Sequence, residues 1–269
     1  MNLSNFTFSS ANLSIENRAF LFGDSVQVTF FVRNKAIILA EDVYFFLMAS
    51  MRKMRMNIPL EFTLDFFQEL IQKEVIEKDV ENCFVEFLVF RNSESMALQN
   101  ASISYFATVI LTEDPLSINP SIELDLIKEI AVGSSLLSNI QVHSAENIYA
   151  EIYAKENDLD DLVLLNPSKR IARTIYGNLL LLKENTIKIP KISEGAYISP
   201  LLESFVTFVH KNNLATIEQA ELVAFETQKA EEILMISDRK GIFPVSKIRN
   251  KTFNQNRFSE MLEKWRATF

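Results

Sequence analysis

Few side chains in this sequence have a type and spacing that would do chemistry unaided. The two histidines, His143 and His210, lie far apart in the chain. His143 is either a pocket residue or an ordinary surface histidine, and its sequence context leaves both open. His210 precedes Lys211-Asn212-Asn213, where it would sit at a helix C-terminus and favour its carbonyls. The single cysteine, Cys83, falls in an apolar run, so it is expected to be a buried strand residue rather than a catalytic thiol. Glu231 and Glu232 are adjacent and would point to opposite faces of a strand, which does not suit an acid/base couple. No metal-ligand spacing, phosphate-binding glycine loop or nucleophile elbow is visible.

These residues must be held by a mixture of strands and helices. Ser25 to Val32 and Ala36 to Leu39 are rich in β-branched and apolar residues and predict strands. Glu41 to Met54 has helical spacing of Val43, Phe46 and Leu47, with Pro59 expected to stop it. Thr63 predicts the N-cap of a second helix with Phe66, Phe67, Leu70 and Ile71 on its buried stripe. Cys83 to Phe90 and Ile103 to Leu111 predict a pair of long strands. Ile122 to Ile130, Leu162 to Leu165 and Leu179 to Leu182 predict further strands, the last two around a turn at Asn166-Pro167-Ser168. Helices are expected near Ser144 to Lys155, from Pro200 to Lys211 and from Arg257 to Trp265. Thr112 to Pro120, with two prolines, predicts a linker. The expected architecture is α+β with mixed sheets and flanking helices. It comprises a small N-terminal domain (1–113), a linker (114–121) and a larger C-terminal domain (122–269).

Composition narrows the function classes. The 269 residues are 48% hydrophobic, with 22 Phe, enough for a large aromatic core. A net charge of −8 repels phosphate backbones, so no nucleic-acid partner is expected. The short basic cluster Arg52-Lys53-Met54-Arg55 suits a helix C-terminus, and Lys247 to Lys251 is as brief. A lone cysteine fits a reducing compartment, and no signal peptide or membrane span is visible; cytoplasmic localisation is expected.

Several segments, in order, resemble the class IV aminotransferases, the family of branched-chain and D-amino acid aminotransferases and aminodeoxychorismate lyases. Arg18-Ala19-Phe20-Leu21-Phe22-Gly23-Asp24 is similar to the family's opening motif. Leu159-Asp160-Asp161-Leu162-Val163 resembles its acidic strand, and Gly177-Asn178-Leu179-Leu180 its Asn-containing strand. Ala230-Glu231-Glu232-Ile233-Leu234 and Gly241-Ile242-Phe243-Pro244-Val245 follow in register. The resemblance implies a two-domain fold, a homodimer, and a pyridoxal-phosphate (PLP) site between the domains near the subunit interface.

Carried over position by position, the PLP residues are replaced. Schiff-base chemistry needs a lysine, a carboxylate beside the ring nitrogen, and donors for the phosphate. The lysine position falls on Asn139, Ile140 or Gln141; the nearest lysines are Lys128 and Lys155. The ring-facing glutamate becomes Arg173, five residues before Asn178, and a cation there disfavours a protonated ring. The phosphate arginine becomes Phe46. The second phosphate motif reads Tyr197-Ile198-Ser199-Pro200, with Ser199 still able to donate. Gln27 and Val28 replace an aromatic and a glutamate, while Thr29 remains. His143 lies close to the lysine position, and Ser237 and Asp238 are pocket positions by the same correspondence. These replacements predict no catalytic residue, no bound cofactor, and a pocket reused for a small anionic metabolite. The competing expectations are an active aminotransferase or aminodeoxychorismate lyase with a relocated lysine, such as Lys128, and a purely structural dimer subunit.

Overall fold

The computed structural model describes residues 4–11, 14–94 and 101–269. The chain forms two compact units: Met1–Pro115 with Ile140–His143, and Leu116–Asn139 with Ser144–Phe269. Both are α+β, each built on one main sheet.

The first unit contains β1 (Phe6–Ser9), α1 (Arg18–Phe22), β2 (Ser25–Arg33), β3 (Ala36–Ile38), α2 (Ala40–Lys53), α3 (Leu64–Glu74), β4 (Cys83–Asn92) and β5 (Ser102–Leu111). Its strands pair antiparallel in the order β1-β5-β4-β2-β3. Strand alternation buries Val26, Val28, Phe30 and Val32 of β2 beside Val85, Phe87 and Val89 of β4. The opposite face carries Gln27 and Thr29, with Glu86 across the ladder from Thr29. The Thr63 hydroxyl caps α3 by accepting the Phe66 N–H at 3.1 Å. That helix delivers Phe67 to the centre of an aromatic core. Its ring stacks on Phe30 (5.8 Å between centroids) and meets Phe62 (5.3 Å) and Phe87 (5.6 Å) edge-on. Phe66 and Leu70 are only half-buried. Cys83 is buried in β4, and burial pushes its thiol up to about 12. The end of α2 is set by Arg55 in the left-handed conformation, several residues before Pro59, with Arg52 and Lys53 in the last turn.

The second unit contains β6 (Ile122–Leu126), α4 (Ala145–Glu156), β7 (Asp161–Leu165), β8 (Ile171–Arg173), β9 (Asn178–Lys183), β10 (Thr186–Pro190), α5 (Pro200–Lys211), β11 (Thr216–Ala220), α6 (Glu226–Lys229), β12 (Glu232–Ser237), β13 (Gly241–Ile248), β14 (Lys251–Thr252) and α7 (Asn256–Arg266). The sheet runs β11-β10-β9-β12-β13-β6-β7-β8, with β14 beside β13. The β10–β11, β6–β13 and β6–β7 pairs are parallel. The Ile171 N–H donates to the Leu222 carbonyl at 2.7 Å, which brings the chain after β11 back to β8. Inside lie Leu179, Leu181, Ile233, Met235, Val163 and Val245. α5 and α7 pack on β12, and Phe205 meets Trp265 edge-on at 5.6 Å.

Two expectations need correction. The strand expected over Ile122 to Ile130 ends at Leu126, because its ladder with β7 ends there and exposed Lys128 and Glu129 follow. Leu162 to Leu165 and Leu179 to Leu182 are not joined by one turn. The short strand β8 intervenes and pairs with β7, whereas β9 pairs with β10 and β12. Among the described residues no helix is long and apolar enough to cross a membrane.

Phe67 is fully buried and meets five other rings, so Phe67→Ala is expected to lower the unfolding free energy by about 3–5 kcal/mol. Phe66→Ala, at a half-buried ring, should cost clearly less; urea unfolding of both variants measures the difference.

Candidate functional site

In the first unit, the Arg-x-Phe-x-x-Gly-Asp segment is a structural lock. Asn17 caps α1, its Oδ1 accepting the Ala19 N–H at 2.8 Å. Arg18 pairs with Asp24 at 2.9 Å, and Arg91 also donates to Asp24 and to the Met54 carbonyl. Gly23 between them is left-handed (φ 61°), and a Cβ there would lie 2.4 Å from the Cβ of His143. His143 itself is exposed.

The same unit holds three buried polar atoms with no hydrogen-bond partner among the described residues: Thr29 Oγ1 and both amide atoms of Gln141. The Gln27 N–H donates to the Gln141 carbonyl at 2.9 Å in an antiparallel bridge. That pairing puts the Gln27 and Gln141 side chains on one face, which Thr29 and Glu86 share by alternation. Gln27 Nε2 donates to Glu86 Oε2 at 3.2 Å. Leaving a buried polar group of this kind unmet costs about 1–3 kcal/mol.

In the second unit, residues 173–178 form a tightly tied turn. The Arg173 guanidinium donates to the carbonyls of Thr174 (2.9 Å) and Ile175 (2.7 Å) and to Asn147 Oδ1 (2.7 Å). Burial lowers it to about 10, with Asp161, Glu146 and Tyr176 acting the other way, so it remains a cation at neutral pH. Asp161 opens β7 and is 1% exposed; its Oδ1 accepts the Ile175 N–H at 3.0 Å, while Oδ2 has no partner among the described residues. Burial raises its carboxyl against the pull of Lys240 and Arg173. The Tyr176 ring lies under Arg239 (4.7 Å) and Lys240 (4.9 Å), and its hydroxyl donates to Glu151. A Cβ on Gly177 would lie 2.5 Å from the Ile236 carbonyl, so only glycine lets the turn pass this close to β12. Asn178 is fully buried; its amide donates to the Tyr197 carbonyl at 2.9 Å, leaving Oδ1 without a partner among the described residues.

β12 ends beside the N-terminus of α5. Ser237 donates to the Tyr176 carbonyl at 2.8 Å and accepts the N–H groups of Arg239 and Lys240. Asp238, 3% exposed, accepts the Leu201 N–H at 3.2 Å and the Ser199 hydroxyl. Burial pushes its carboxyl up to about 7 against those two bonds. Burial, followed by the Asp238 charge, raises the Tyr197 phenol well above its ordinary value.

The sequence-named positions therefore fall into separate groups. Ile140, Gln141, His143 and Phe46 belong to the first unit; Ile140 is buried and Phe46 half-buried on α2. Asn139, Arg173, Asn178, Ser199, Ser237 and Asp238 belong to the second. Ser199, Ser237 and Asp238 are linked through the β12 end and the α5 start, and Arg173 and Asn178 flank the tied turn. Asp161, Tyr176 and Lys240 join this set without having been singled out by sequence. A carboxylate at the head of the otherwise apolar run Asp161–Leu165 was the signal for the first. Lys128 and Lys155 are both exposed. Among the described residues no cluster of His, Cys, Asp and Glu could hold a metal ion.

The family model described as amino-transferase class IV matches residues 29–248. Solved structures share the fold at low identity. The branched-chain aminotransferase from the archaeon Thermoproteus uzoniensis, with norvaline, is 12% identical (TM-score 0.86, covering 97% of this chain and 93% of that one). A putative 4-amino-4-deoxychorismate lyase from Legionella pneumophila is 17% identical (TM-score 0.85, 97% and 96%). The Escherichia coli branched-chain amino acid aminotransferase is 11% identical (TM-score 0.87, 99% and 95%). No curated protein sequence matches the chain.

The raised Asp238 carboxyl has a signed consequence for stability. Its ordinary value is 3.8 and its folded value about 7, so between these the folded state holds a proton that the unfolded chain has lost. Its contribution to stability is therefore full below about pH 4, declines as pH rises to about 7, and is flat above. Asp238→Asn should remove that decline. Chemical denaturation at several pH values, compared with the wild type, isolates it from Asp161, which shifts in the same direction.

Proposed function

Because the chain belongs to the amino-transferase class IV family, we propose that it uses the family's fold to bind a small carboxylate-bearing metabolite and has given up PLP catalysis. The observation that carries this is the state of residues 139–141. Ile140 is buried, and Gln141 presents an amide with neither atom bonded among the described residues. No amine is available there for a Schiff base. The Gln141 N–H groups and the Thr29 hydroxyl are neutral donors suited to a carboxylate.

The remaining residues do not fit PLP. Its phosphate would need open donors at a helix N-terminus. At α5 the Leu201 N–H is taken by Asp238, the Leu202 N–H by Ser199 Oγ and the Glu203 N–H by the Ser199 carbonyl, while Pro200 has none. Arg173 is committed to two carbonyls and Asn147, and offers no carboxylate to a ring nitrogen. The alternative is an active aminotransferase or lyase with a relocated lysine. It would require exposed Lys128 or Lys155 to act from water-accessible positions. A homodimer is part of the same proposal: Ile148, Tyr149 and Ile152 form an apolar exposed strip on α4 that a second copy would cover.

Incubation with PLP should give no Schiff-base absorbance band, and borohydride treatment no lysine adduct by mass spectrometry. A labelled lysine would sink the proposal. A panel of small keto acids and amino acids should contain at least one compound that raises the melting temperature of the wild type and loses that effect in Gln141→Ala. A flat response across the panel would count against binding and favour a purely structural subunit.

A further inference from the structure

We propose that Glu86 determines the specificity of the face that carries Thr29 and Gln141. It restricts the ligand to a monocarboxylate that also bears a hydrogen-bond donor, a hydroxyl or an ammonium group, and turns dicarboxylates away. This rests on the carboxylate-binding reading above and narrows the class of ligand. Strand register places the residue. Glu86 of β4 lies directly opposite Thr29 of β2 on one side and Thr108 of β5 on the other, and Thr108 lies opposite Thr7 of β1. Side chains directly opposite one another in an antiparallel ladder leave the same face, with Cβ atoms about 4.5–5.5 Å apart. Thr7, Thr108, Glu86 and Thr29 therefore form one polar row straight across the sheet, hydroxyls on either side of a carboxylate.

Beside Glu86 the neighbouring rows are apolar. On one side Phe84 pairs with Ile110, and on the other Leu88 pairs with Phe106. All four are half-buried, so hydrocarbon lying along the row would meet them while its polar ends met the row itself. The donors stand at one end: the hydroxyl of Thr29, a residue 1% exposed, and the Gln141 amide N–H groups, all unmet among the described residues. The face offers acceptors as well. Gln141 Oε1 is unmet in the same way, and Glu86 Oε2 accepts Gln27 Nε2 at 3.2 Å. A hydroxyl or ammonium group on the ligand satisfies such acceptors, whereas a keto oxygen only accepts and leaves them unmet. The bond from the neutral Gln27 amide leaves the Glu86 charge in place. A second carboxylate on the ligand would bring like charges within roughly one interstrand spacing, about 4.7–4.9 Å. At the surface of a protein that juxtaposition is far costlier than in bulk water.

The test uses full-length wild type and Glu86→Gln. Both are titrated calorimetrically, at constant ionic strength, with 4-hydroxybutanoate, 4-aminobutanoate and succinate. These probes share one chain length, close to a single interstrand spacing, and differ in the group at the far end. The wild type should bind 4-hydroxybutanoate or 4-aminobutanoate at least about tenfold more tightly than succinate. Glu86→Gln keeps an oxygen for the Gln27 amide but loses the charge, and should bring that ratio to within about threefold. Glu86→Ser, which continues the row of hydroxyls, gives the same reading if Glu86→Gln does not fold. A wild type that binds succinate as tightly as the other two would overturn the inference and leave carboxylate binding standing. A preference that survives in the folded Glu86 variants would do the same. Absence of binding by wild type and variants to all three probes would overturn the inference together with the reading it rests on.

Discussion

The second unit is organised around a constraint that every helix imposes: its first N–H groups must find acceptors. Strand β12 meets that demand twice. At its start Glu232 accepts two amides of α7, and just past its end Asp238 accepts one amide of α5. The strand is buried along its whole length, so neither carboxylate can be solvated and each must be met by the protein. The two helices are thereby fixed against the same strand, and Phe205 of α5 reaches Trp265 of α7 across it. The tied turn at residues 173–178 depends on the same strand. Ser237 bonds the Tyr176 carbonyl, and Gly177 passes against the Ile236 backbone.

The first unit solves a similar problem with opposite charges. Asp24 is nearly buried and is met by Arg18 and Arg91, so the sharp turn through left-handed Gly23 is held by ion pairs. Removing one member of such a set leaves an uncompensated charge, which gives the distinctive pattern of this segment a structural reason. The contrast lies one strand turn away. The Thr29 hydroxyl and the Gln141 amide are buried without hydrogen-bond partners among the described residues, as are one oxygen each of Asp161 and Asn178 in the second unit.

The fold was legible in the sequence because its signals are local. Thr63 caps α3 with its hydroxyl, as its position before an apolar periodic run implies, and the helices expected near Ser144 and Pro200 start on Ser144 and Ser199 caps. Long strands such as β4 and β5 alternate cleanly and pair along their full length. Short elements escaped notice. β8 has three residues, too few for a periodic pattern, and its place depends on β7 and on the chain after β11. The candidate site was legible only as positions suggested by resemblance. That Arg173 is something other than a carboxylate can be read from its letter, but not that it binds the carbonyls of its own turn. Asp161 was read only as part of a motif, because a carboxylate heading a strand looks like a surface residue until its burial is known.

Burial changes the meaning of Asp238 most of all. In sequence it is one acidic residue in a Ser-Asp-Arg-Lys turn, flanked by two cations that would ordinarily be expected to pair with it. In the fold, Arg239 and Lys240 turn instead onto the ring of Tyr176, and the carboxylate goes inward to the helix amides. A surface aspartate beside Arg and Lys would be screened and of little consequence. The same aspartate, desolvated at the head of a helix, must be met by the protein itself, and the Leu201 amide and the Ser199 hydroxyl do so.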